Sequence, residues 1–98
     1  MPIVTFPTLF AVMADPENAI LPNVLAQTFP QDHIQIRPGQ WFVVGTGTAR
    51  EISDKLKITG EPSDSGVAVV VAISGYYGRA SSQIWEWVAA KVGKPSNA

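Results

Sequence analysis

The chain has 98 residues, a formal net charge of −1, and no cysteine; 46% of its residues are hydrophobic and only 15% are charged. Its length suits a single domain, and its composition is too apolar and too weakly charged for a disordered chain. Without cysteine it has no disulfide scaffold, thiolate metal site or cysteine nucleophile. Charged residues usually make up about a quarter of a soluble domain. The shortfall here predicts that part of the surface is apolar and covered by a partner.

Residues 7–14 (Pro-Thr-Leu-Phe-Ala-Val-Met-Ala) read as a first strand. Asp15-Pro16 then predicts a helix start, with Asp15 as the N-cap and Pro16 in the first helical position, where its missing N–H costs nothing. Ile20, Leu21, Val24, Leu25 and Thr28 fall on one helical stripe, Pro22 is near enough to the first turn to be tolerated, and Pro30 ends the helix. His33-Ile34-Gln35-Ile36-Arg37 alternates as a half-buried strand with Ile34 and Ile36 inward. Pro38-Gly39 is a turn signal, and residues 41–44 form the next strand, so an antiparallel hairpin is expected. Thr48-Ala49-Arg50-Glu51 matches the capping box that opens a helix burying Ala49, Ile52 and Leu56. Residues 60–66 are a polar loop.

Residues 66–76 form the strongest strand signal. Val67-Ala68-Val69-Val70-Val71-Ala72-Ile73 is apolar on both faces, where a half-exposed strand would alternate. Both faces should therefore be covered, by the last helix or by a second subunit. That helix spans residues 81–92, with Ile84, Trp85, Val88 and Val92 on one stripe and Trp87 on its flank; Trp85 is expected in the core. Residues 93–98 read as a frayed tail. The order β-α-β-β-α-β-α predicts an α+β fold: one ferredoxin-like βαββαβ sandwich spanning residues 1–98, with an additional C-terminal helix. Met1-Pro2-Ile3-Val4 lacks the basic and apolar regions of a secretory signal, and the longest apolar run is shorter than a membrane span. A cytoplasmic protein with no membrane contact is expected.

Four segments carry chemistry worth weighing. Asp15 closes the first strand, where a carboxylate can ligate Mg²⁺ or Mn²⁺; capping alone also explains Asp-Pro. Gly45-Thr46-Gly47-Thr48 precedes a helix N-terminus, which favours anions; the same residues also make a tight turn and a cap, and they complete no nucleotide-binding motif. Tyr76-Tyr77-Gly78-Arg79 offers two rings and a guanidinium for a partner chain or a base, or for local packing. Trp87 is an interface anchor or a lid over the sheet end. His33, the only histidine, has no metal or triad partner in the sequence. The basic residues Arg37, Arg50, Lys55, Lys57, Arg79, Lys91 and Lys94 are scattered, so charge does not favour nucleic acid.

The stretch Gln40-Trp41-Phe42-Val43-Val44-Gly45-Thr46-Gly47-Thr48-Ala49-Arg50-Glu51-Ile52-Ser53-Asp54-Lys55-Leu56, followed by a strong apolar strand, resembles the small CRISPR spacer-acquisition nuclease-like proteins and their toxin-like relatives. The resemblance implies a ferredoxin-like homodimer with a metal site built on an aspartate at the end of strand one, which here is Asp15. Where that family closes strand one with a tyrosine-aspartate pair, this chain has Met13-Ala14-Asp15-Pro16, and it lacks the family's basic character.

The leading expectation is a homodimeric interaction or accessory protein of bacterial or mobile-element type. It would have no catalysis and no cofactor, and Tyr76, Tyr77, Arg79 and Trp87 would lie at its protein interface. One alternative is a metal-dependent nuclease, or an inactive relative, pairing Asp15 across the dimer around Mg²⁺ or Mn²⁺. Another is a domain that binds phosphate or a small ligand through Gly45, Thr46, Gly47 and Thr48.

Overall fold

A computed structural model of the chain describes residues 7–61 and 64–92. The expected tail at 93–98 lies outside them, as does the segment weighed as a secretory signal. The elements follow the expected order: β1 (Thr8–Ala14), α1 (Leu21–Thr28), β2 (His33–Arg37), β3 (Gln40–Gly45), α2 (Ala49–Lys55), β4 (Ala68–Ile73) and α3 (Ser82–Val92). The protein is α+β. The four strands of the described residues form one antiparallel sheet in the order β2-β3-β1-β4, so among them β2 and β4 are the edges.

The pleat sorts side chains between two faces, because strand residues alternate and directly opposed residues share a face. Phe10 opposes Val43, and Val12 opposes both Trp41 and Val70. On this face Phe10, Val12, Trp41 and Val43 meet Leu21, Leu25 and Phe29 of the α1 region and Ile52 and Leu56 of the α2 region. Each fully buried side chain of this kind contributes roughly 1.5–3 kcal/mol by leaving water. On the other face, Leu9 and Val44 pack with Ile84 and Val88 of α3, and Ile34, Ile36, Phe42 and Ile73 add to that cluster. The result is three layers, with α1 and α2 below the sheet and α3 above.

The start of α1 departs from the sequence reading. Asp15 is not its N-cap. Residues 15–18 instead form a turn, in which the Asn18 N–H donates to the Asp15 carbonyl at 3.0 Å and the Glu17 N–H donates to Asp15 Oδ1 at 2.9 Å. Asp followed by Pro suits the first two positions of a β-turn as well as it suits a helix start. The helix begins at Leu21, and Asn18 serves it: Oδ1 accepts from the N–H groups of Ile20 and Leu21, each at 3.0 Å. Pro22 falls in the first turn, where it displaces no hydrogen bond.

The hairpin turn is locked against the end of β1. Gly39 has φ +82°, and a Cβ there would lie 2.5 Å from the Ala14 carbonyl oxygen. The Gly39 carbonyl in turn accepts from the Ala14 N–H at 2.8 Å. Glycine is therefore required twice at this position, for its backbone conformation and for the close approach.

Candidate functional site

The topology divides the expected site residues between the two ends of the sheet. Thr8 opposes Gly45 and Leu9 opposes Ile73, whereas Ala14 opposes Ala68. The loop holding Gly45, Thr46, Gly47 and Thr48 and the segment holding Tyr76, Tyr77 and Arg79 thus leave one end. Asp15 stands at the other.

At its end, Asp15 is exposed and its Oδ1 is engaged by the Glu17 N–H. Among the described residues, no three His, Cys, Asp or Glu side chains are grouped to hold a metal ion. Mg²⁺ and Mn²⁺ need several oxygen ligands in a fixed geometry. One exposed carboxylate does not meet that need, so within one chain the residues do not fit the metal.

The glycine loop has structural work at Gly45, Gly47 and Thr48. A Cβ on Gly45 would press on Ile52 Cδ1 at 3.1 Å and Phe29 Cε1 at 3.3 Å, so this glycine lets the core close. Gly47 has φ +113° and lies against the Glu51 carboxylate. The capping box is complete: the Thr48 N–H donates to Glu51 Oε1 at 2.9 Å, and the Glu51 N–H donates to Thr48 Oγ1 at 3.2 Å. The start of α2 therefore already holds a carboxylate of its own chain. Beside the loop lies an open groove of about 520 Å³, where Gly45 and Thr46 meet Thr28, Asp32, Lys55 and Lys91. Lys91 Nζ pairs with Asp32 Oδ1 at 3.1 Å, which ties α3 to the loop before β2.

The aromatic segment splits. Tyr76 stacks on Trp85 with centroids 5.8 Å apart and planes at 13°, and both rings pack on the α3 cluster. Trp85, expected in the core, is half-buried, as is Trp87 on the same cluster. Tyr77 is fully exposed and Arg79 is exposed. His33 Nδ1 lies 2.6 Å from the Phe29 carbonyl oxygen, to which it donates as an N–H, and this ties the start of β2 to the end of α1.

The sequence reading missed two features. The first is a clasp between distant loops. Asn18 Nδ2 donates to the Ser65 carbonyl at 2.7 Å, while the fully buried Ser65 donates through Oγ to the Leu56 carbonyl and through its N–H to Lys57 at 3.0 Å. The only signal was an asparagine three residues before Leu21.

The second is where the expected apolar surface lies. Met13 opposes Val69 and Ala11 opposes Val71, so these four residues share the α3 face of the sheet. Met13 is 43% exposed, Val69 55% and Val71 42%. Helix α3 reaches Ile73 but leaves this half of the face open. Of the two covers expected for β4, the helix supplies only one corner. No protein-family model matches the chain, and no curated protein or solved structure matches it either.

Proposed function

We propose that the protein is a small, non-enzymatic interaction module that works as a homodimer. The observation that carries this reading is the open apolar surface that Met13 of β1 makes with Val69 and Val71 of β4, the latter an edge strand among the described residues with no charged residue. Its place beside an unprotected edge marks it as an interface, because edge strands are normally blunted by charge, proline or a bulge. The proposed fold is the ferredoxin-like sandwich with an added helix. Its support is the order β2-β3-β1-β4, in which β3 lies between β1 and β2 while β1 lies between β3 and β4. Tyr77, Arg79 and Trp87 would extend the interaction surface from the other end of the sheet. Sedimentation velocity should give a dimer at micromolar concentration, and Val69→Lys should shift it to monomer without lowering the helix signal in circular dichroism. A wild-type monomer across that range would overturn the reading.

A second reading rests on the groove beside Gly45 and Thr46, which Lys55 and Lys91 line together with Thr28. In it the groove takes a small anionic ligand. Glu51 at the start of α2 and Asp32 on Lys91 both oppose negative charge there, which makes this the weaker reading.

A further inference from the structure

The strand that carries the apolar patch is self-complementary in sequence. Val67-Ala68-Val69-Val70-Val71-Ala72-Ile73 reads the same in both directions about Val70, apart from Val67 against Ile73. Small residues flank it on both sides, Ser65-Gly66 and Ser74-Gly75. An antiparallel pair about a two-fold axis through Val70 sets Val70 against Val70, Val69 against Val71, Ala68 against Ala72 and Val67 against Ile73. Every cross-strand pair then joins side chains of equal or nearly equal size, without an unmatched charge.

The two sheet edges differ in a way that selects this strand. The β2 edge carries His33, Gln35 and Arg37, and its pairing with β3 shifts register between Gln35 and Arg37. Charge and irregularity both protect an edge. The β4 edge has neither: residues 67–73 are uncharged and lack proline, and β4 pairs with β1 without a shift. A long, regular, uncharged edge is a template for another strand.

We infer that two copies join through their β4 edges, antiparallel and centred on Val70, to make one continuous eight-stranded sheet. This rests on the homodimer reading and specifies its geometry. The occupant is a second copy of this chain, because a strand this nearly palindromic matches itself position by position when run antiparallel. Two patches of Met13, Val69 and Val71 then meet across the axis as one apolar stripe. The register also separates the two Asp15 residues. They would lie six strand residues apart along the sheet and three strand spacings across it, about 25 Å in all. A shared metal between them is then ruled out by distance.

The chain has no cysteine, so an introduced one is the sole thiol. The full-length chain would be prepared as Val69→Cys, Val70→Cys and Val71→Cys, with Gln83→Cys on the exposed face of α3 as control, and oxidised at micromolar concentration. The register predicts disulfide-linked dimer in Val70→Cys alone or in the Val69→Cys and Val71→Cys mixture. Its yield should be at least about fivefold above either Val69→Cys or Val71→Cys alone, because diagonal neighbours lie beyond disulfide reach. A dimer in sedimentation with no linkage in either arrangement would overturn the register and leave the homodimer reading standing. A monomer would overturn both. Hydrogen exchange on the unaltered chain guards against misfolded variants: amides 68–73 should gain protection as protein concentration rises, and unchanged protection in a sedimenting dimer would also overturn the register.

Discussion

Asn18 shows how much one polar side chain can hold. Its amide joins the loop before α1 to the loop before β4, while its carbonyl oxygen serves two N–H groups that open the helix. Asn18→Ala would remove all three bonds and leave Ser65, buried in that loop, without its tie to the first half of the chain. The expected loss is about 1–2 kcal/mol, or roughly 5–15 °C in Tm for a domain of this size. Thermal unfolding followed by circular dichroism measures it. Asp15 contrasts with Asn18. Its carboxylate only closes a local turn, so Asp15→Asn, which keeps an accepting oxygen, should leave the melting curve almost unchanged.

At the scale of elements, α2 depends on its cap more than its neighbours do. It has only seven residues, and helices so short gain little from propagation. Thr48 and Glu51 satisfy two of its orphan donors reciprocally. Thr48→Ala should therefore cost about 1 kcal/mol. The check is a denaturant titration, with an unchanged slope and a lower midpoint. Helix α1 opens without a side-chain bond from its N-cap residue Ile20 and relies on Asn18 two positions earlier. Helix α3 is anchored by Ile84 and Val88 in the core and by the Lys91–Asp32 pair at its end.

For the whole molecule, the uneven cover of the sheet governs what it can do. One face is closed by α1 and α2; the other is closed by α3 over β2, β3 and the Ile73 end of β4. What is left is an apolar corner beside an unprotected edge, which suits strand-to-strand assembly far better than it suits a reaction. The proposed β4-paired dimer would also hold its two Asp15 carboxylates far apart. Incubation with single- and double-stranded RNA and DNA, with Mg²⁺ or Mn²⁺, should therefore give no cleavage that Asp15→Asn abolishes. Metal-dependent cleavage lost in that variant would reverse both the interaction reading and the proposed register.

Local sequence determined the element order, the capping box at Thr48, the hairpin turn at Gly39 and the apolar character of β4. Each follows from neighbours a few residues apart, through alternation, turn chemistry or capping. The Asp15-Pro16 pair shows where local signals run out. The dipeptide fits a turn and a helix start equally well, and the clasp from Asn18 to Ser65, 47 residues away, accompanies the turn. Which face of β4 stays open was likewise not local, because its residues are apolar on both sides. Tertiary structure decided it, by setting β4 at the edge and stopping α3 short of Val69 and Val71. Sequence can show that a strand is able to be buried on both sides; only packing shows which side its own chain leaves uncovered.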